Sequence, residues 1–519
     1  MNNILEHFTG IDSFSETSST KPKSLDETQD YCFINSSFKL PIEYLEKEKI
    51  HPLSKIVVSD LEIVHALDTS ENSVYSHTFN TQHPFAQHVI PMFQHTHTTD
   101  ISFLNQTQHV IENMNAFKLD TTPYCSKSLN TNWKHIKHDP KFMETYGYLE
   151  WDLLKEYNTN SIVLQSISIT NMLSPIMSFI LPLLFLLFPF VILKIQGISI
   201  TLGIYYKVLR DIAKHHFIGQ ALNTFDNFSY QKLIYLLVMV ALYCFQMYQN
   251  TVQCLRFYNN TQRINNELCD WKQFCKYSET QIETFLELTT DMHAYEPFRI
   301  EVSRHLTTLN SLNDLLYTTQ PFTCSIMKST EVGHMLKCYY ILHTDHDFEN
   351  TLSFCIGFEG YLHCLFGLHK QLKSGILNKA SFHVSENNNK KNIDDADDNS
   401  TPDDNSTPDD NSTPDDNSMS DDNSMSDDNS THKDTVHNVI TSQTSNIIIQ
   451  QCYPSHTNSD TCVKNDVLLD TYCVITGPNA SGKTTYLKTT AINIILSQQF
   501  GLGFYDKCVM QPYHHIHPY

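Results

Sequence analysis

The run Gly477-Pro-Asn-Ala-Ser-Gly-Lys-Thr484 constrains the fold of this 519-residue chain more than any other feature. It matches G-x-x-x-x-G-K-[ST], a loop whose confirming context is a strand before it and a helix after it. Gly477 and Gly482 let the backbone wrap closely, so that N–H groups point inward as an anion nest. Lys483 adds a point charge, and the Thr484 hydroxyl can ligate Mg²⁺. A helix starting there contributes its partial positive charge. The flanks agree. Tyr472-Cys-Val-Ile475 and Ile447-Ile-Ile449 are short apolar runs with β-branched residues and read as strands. Tyr486 to Gln499 reads as an amphipathic helix. The phosphate-binding set is Gly477, Pro478, Asn479, Ala480, Ser481, Gly482, Lys483, Thr484 and Thr485, for ATP with Mg²⁺ on Thr484. No catalytic residue is assigned.

A second constraint lies upstream. Tyr157 to Leu193 contains no Asp, Glu, Lys or Arg, and its inner part, Met172 to Leu193, is long enough to span a hydrocarbon layer of roughly 30 Å. Leu233 to Leu255 is a weaker uncharged stretch between Lys232 and Arg256. A helix buried on all sides is equally apolar. Pro175, Pro182 and Pro189 each remove a helical hydrogen bond, which membrane helices tolerate better than soluble ones. The intervening segment carries Lys194, Lys207, Arg210, Lys214 and Lys232 against Asp211 and Asp226. The positive-inside rule would put that segment in the cytosol, whereas a loop that needs ATP asks for the flanks there. The ATP requirement is given the greater weight, so the expectation is a membrane-associated chain with its nucleotide-binding part in the cytosol.

The remainder is plainer. Residues 256–384 show apolar residues mostly three and four apart, as at Leu306, Leu309, Leu312, Leu315 and Leu316, and read as a helical scaffold. From Asp397 the chain repeats DDNSTP and DDNSMS, which offers too little apolar surface to order itself. Asp394 to Asp428 holds fourteen Asp, so the formal charge of −22 falls to −8 once that segment is set aside. The acidity therefore does not exclude a local DNA-binding surface. The 14 Cys form no C-x-x-C pair and read as free thiols. His95 and His97 form an H-x-H pair lacking a third ligand.

The run Thr476-Gly-Pro-Asn-Ala-Ser-Gly-Lys-Thr-Thr485, with Pro-Asn inside the loop, resembles the Walker A of MutS-family ATPases, members of the ABC ATPase superfamily. Pro454 and Val463-Lys-Asn-Asp-Val-Leu-Leu469 resemble the stretch these proteins place upstream, with Asn465 and Asp466 matching the family's Asn-Asp. Gln498 to Phe504 resembles their path after the helix. The resemblance covers roughly residues 450–519. It implies DNA binding linked to mismatch repair, and a homo- or hetero-dimer once the ATPase domain is completed. The signature loop and the Walker B Asp-Glu pair that the family needs for hydrolysis are absent from this chain, which is expected to be a truncated form. The family's mismatch wedge, Phe-x-Glu, has three short matches, at Phe14, Phe142 and Phe285.

The expected fold is an α/β P-loop (ABC-type) ATPase fragment at the C-terminus, preceded by a mainly α-helical region with one or two candidate transmembrane helices. The expected domains are 1–155 of unclear fold, 156–255 a membrane hairpin, 256–384 a helical core, 385–440 a disordered insertion, and 441–519 a truncated MutS-like ATPase domain. A membrane-tethered nucleotide-binding scaffold without turnover or mismatch recognition is the alternative. An ABC-type ATPase coupled to its membrane segments ranks last.

Overall fold

Long helices dominate because apolar residues recur at helical spacing with few interior breaks. The computed structural model describes residues 37–68, 72–197, 201–213, 230–322, 326–383, 446–456, 462–469 and 472–517. The aspartate repeat and the Phe14 tripeptide lie outside the described residues. In chain order the longer helices are α1 (Ile101–Glu112), α2 (Ser126–Lys137), α3 (Ser161–Ile195), α4 (Leu202–Ala213), α5 (Tyr230–Leu288), α6 (Glu296–Leu316), α7 (Ile326–Thr344), α8 (His346–Lys373) and α9 (Lys483–Phe500). The strands are β1 (Ile50–Pro52), β2 (Thr96–Thr98), β3 (Asn378–Phe382), β4 (Asn446–Gln451), β5 (Asn465–Leu469), β6 (Leu502–Gly503) and β7 (Lys507–Met510). Within residues 1–155, whose fold the sequence leaves unclear, Lys55–Asp60 is helical.

The chain divides into two compact units. The first comprises Met1–Phe38, Cys125–Trp271 and Thr319–Gly357. Its core is aromatic: Trp133 meets Trp271 at 5.6 Å between ring centroids, and Phe142 stacks on His343 at 3.8 Å. The buried Glu267 carboxylate accepts the Tyr339 hydroxyl at 2.7 Å and faces His135 at 2.8 Å. Two partners hold a charge that burial would otherwise penalise.

The second comprises Lys39–Tyr124, Lys272–Thr318 and Phe358–Tyr519. Phe285 is fully buried there, its ring 5.3 Å from Phe358 and 5.7 Å from Phe298. In α8, Gly367 is required by packing, since a Cβ there would overlap the Phe79 carbonyl oxygen. Among the described residues the sheet has five strands in the order β5-β4-β7-β3-β6. β3 and β7 are parallel, while β4 runs antiparallel to both β5 and β7. Ile448, Val467, Cys508 and Met510 form its core, with Ile494 of α9 packed against them. A separate ribbon pairs β1 with β2 and sets His51 opposite His97.

Two expectations need correction. Tyr472–Ile475 forms no strand: Tyr472 and Val474 are exposed, and among the described residues nothing pairs with their backbone groups. An apolar run alone does not make a strand, because each needs a neighbour for its N–H and C=O groups. The cysteines are not all free either. Cys452, just past β4, is bonded to Cys462, just before β5. The antiparallel register that places Gln451 opposite Asn465 brings the two positions together.

Candidate functional site: the loop before α9

The loop folds as a turn at Asn479–Ala480 that runs into the first turn of α9. Ala480 and Gly482 both take left-handed backbone conformations, with φ of 61° and 84°. Gly482 serves as the N-cap, and the Tyr486 N–H donates to its carbonyl at 2.9 Å. A side chain at Gly477 would be crowded, since a Cβ there would sit 3.0 Å from Ser481 Oγ. Glycine stands at the left-handed Gly482 for a steric reason that is now visible, while Ala480 takes the same region with a side chain.

Lys483 is the first residue of α9. Its ammonium group donates to the carbonyls of Gly477 at 2.6 Å and Pro478 at 2.5 Å, so the cation closes the loop on itself. Thr484 and Thr485 are exposed at the same helix end, as are Pro478, Asn479 and Ser481. All nine predicted site residues therefore lie together on one exposed loop and helix start. The amides of the first helical turn have no intrahelical acceptor, which suits them to an anion. An open loop with a left-handed glycine, and with a lysine and a threonine at the helix start, presents the donor types that a polyphosphate and Mg²⁺ would require.

Beside the buried Ile492, Ile495, Leu496 and Phe500, polar side chains anchor α9, and sequence reasoning missed them. Gln451 of β4 donates to Thr490 Oγ1 at 2.7 Å. Asn493 Oδ1 accepts the Phe504 N–H at 2.8 Å, and Ser497 lies 2.9 Å from the Tyr505 hydroxyl. Gln498 donates to the carbonyls of Thr98 and Tyr513 and accepts the Tyr513 N–H. Gln499 donates to the carbonyls of Phe93 and Thr96. Both glutamines are buried. The available signal was a pair of amides at the end of a helix that also buries Ile492, Ile495 and Leu496, where burial requires partners.

The nearby carboxylates are committed elsewhere. Asp466 Oδ1 accepts the Gln450 N–H at 2.8 Å, and Asp506 pairs with Lys464 at 2.8 Å. Of the wedge candidates, Phe142 and Phe285 are buried core residues, which leaves neither ring free to reach a base pair. His95 is exposed and His97 buried, and among the described residues no three His, Cys, Asp or Glu converge on a metal-sized site.

No family model matches the chain. Over 42 residues, 8% of its length, the chain is 52% identical to a DNA mismatch repair protein MutS of Fusobacterium nucleatum. The match spans 5% of that relative. It is a short and partial likeness to MutS.

Proposed function

We propose that this chain is a MutS-like protein that binds ATP and Mg²⁺ through Gly477–Thr485. The observation that carries the reading is the loop itself: a complete phosphate-binding motif folded onto a helix N-terminus, with Lys483 held over it. Bound Mg²⁺ supplies charge neutralisation between the phosphates. The chain's own part is to present amides from Ala480 to Thr485, to move the Lys483 ammonium from the Gly477 and Pro478 carbonyls onto phosphate oxygens, and to offer Thr484 Oγ1 to the metal. Turnover is not assigned, since Asp466 and Asp506 are occupied by Gln450 and Lys464.

A link to DNA comes from the relative's name alone and is part of the same proposal. The burial of Phe142 and Phe285 favours a second reading, a nucleotide-binding scaffold that does not recognise mismatches. Fluorescent ATP-analogue binding by the purified chain, with Lys483→Ala as comparison, tests the site, and equal affinity in both would sink it. Gel retention of mismatched against matched duplex separates the two readings.

A further inference from the structure

Among the described residues three helices are long and apolar enough to cross a membrane, and exposure separates them. His346–Lys373 is buried throughout its apolar window, so α8 is a core helix. The apolar parts of α3 and α5 are not covered. Leu187 is 56% exposed, Phe188 55%, Leu237 61% and Val238 51%. Both stretches belong to the first unit and run side by side in opposite directions: Cys254 Sγ approaches the Met172 carbonyl at 3.6 Å, and Tyr243 and Asn250 both reach Ser178.

We propose that α3 and α5 form a hairpin whose two charge-free stretches, set in register, cross the hydrocarbon layer of a lipid bilayer together. This stands apart from the nucleotide reading. The register is the first support. Met172 faces Cys254, Lys194 lies 22 residues after Met172 (194 − 172), and Lys232 lies 22 before Cys254 (254 − 232). The first charges met on both helices therefore fall at one level, about 33 Å from the Met172–Cys254 contact at roughly 1.5 Å per residue. Hydrocarbon is about 30 Å thick. Arg256 marks the other boundary on α5, while the charge-free run of α3 extends back to Tyr157. Two independent buried-core helices would have no reason to align this one charge-free limit.

The second support is a repaired carbonyl. Pro182 has no N–H, so the Ser178 carbonyl four residues earlier loses its helical donor. Tyr243 of α5 supplies one, its hydroxyl donating to Ser178 O at 3.0 Å. Asn250 Nδ2 donates to Ser178 Oγ at 2.5 Å on the same face. Water would serve such a carbonyl at an exposed surface, whereas lipid cannot, and every backbone group must then be satisfied by the protein. Polar side chains between two otherwise apolar helices are the usual means of holding such pairs in lipid.

The test uses the full chain reconstituted from detergent into dioleoylphosphatidylcholine vesicles. It should float with the vesicles after alkaline carbonate washing. Leu184→Trp places a fluorophore near the middle of the span, and lipid brominated near the chain methyl end should quench it more than lipid brominated near the headgroup. Leu187→Lys combined with Val238→Lys should abolish flotation while leaving the urea midpoint in mild detergent unchanged, because both side chains are exposed. Lys483→Ala should float like the parent. Failure to float, including recovery as a lipid-free oligomer with the apolar faces joined, would overturn the proposal. Stronger quenching from the headgroup side would overturn it too, since the pair would then lie along the surface.

Discussion

The Tyr75 hydroxyl donates to Gln499 Oε1 at 2.9 Å across 424 residues of sequence. The bond ties the far end of α9 to a short helix, Val74–Phe79, in the same unit. Because Gln499 also donates to Phe93 O and Thr96 O, both its N–H donors are used and its oxygen has a partner.

Gln499→Ala should therefore be costly. It leaves the Tyr75 hydroxyl and the Phe93 carbonyl without this partner in a buried setting, and Thr96 loses one as well. On the order of 3 kcal/mol is expected. Tyr75→Phe should cost less, about 1 kcal/mol, since one hydrogen bond is lost. Urea unfolding of the three proteins checks the order, and an unchanged midpoint for Gln499→Ala would refute the anchoring role.

Acid should weaken the second unit. Burial and the neighbouring His51 push His97 down to about 4, and burial with the stacked His363 pushes His83 to about 3. Both are held neutral in the fold, whereas the unfolded chain protonates them near 6.5. Their effect is nil above that pH. As pH falls from 6.5 towards 4 the unfolded state binds protons that the folded state refuses, and stability is lost. His97 alone should cost on the order of 2 kcal/mol at pH 5 relative to pH 7. His97→Gln should show a shallower loss in urea titrations at the two pH values; identical slopes would remove His97 from the account.

Gly367→Ala should be among the most damaging single changes. The new methyl group would overlap the Phe79 carbonyl, and backbone on both sides must shift, costing more than about 3 kcal/mol. Gly203→Ala in α4 is the control, because a Cβ there meets nothing within 4 Å. Thermal unfolding should show a large loss for the first and little change, or a slight gain, for the second.

Thr484→Val should separate metal from phosphate. Its hydroxyl is the candidate Mg²⁺ ligand, while the amides and Lys483 are untouched. Binding of a fluorescent ATP analogue should persist without Mg²⁺ yet lose the strengthening that the metal gives the parent chain. Equal Mg²⁺ dependence in both proteins would move the metal away from Thr484.

Local features were legible in the sequence and long-range ones were not. The helix after the loop and the strand at Ile447–Ile449 follow from spacing and β-branching, and the structure has both, as Lys483–Phe500 and Asn446–Gln451. Tyr472–Ile475 has the same composition as a strand and is not one, because strand formation depends on a partner that composition does not reveal. The glutamine locks were invisible for the same reason: their acceptors, Phe93, Thr96 and Thr98, lie about four hundred residues earlier. Exposure of α3 and burial of α8 likewise depend on neighbours, since both helices are apolar enough to read alike.

The glutamine locks also bear on how the chain comes into being. Tyr75, Phe93, Thr96 and Thr98 leave the ribosome long before Gln498 and Gln499, and at about 5–20 residues per second the wait is on the order of tens of seconds. During that interval Phe79 and Phe93, which pack against Phe500 at 5.4 and 5.0 Å in the finished unit, have no such cover. Contacts so distant in sequence close slowly. The nascent N-terminal portion is thus a natural client for a holding chaperone, and release into the native state should coincide with synthesis of α9.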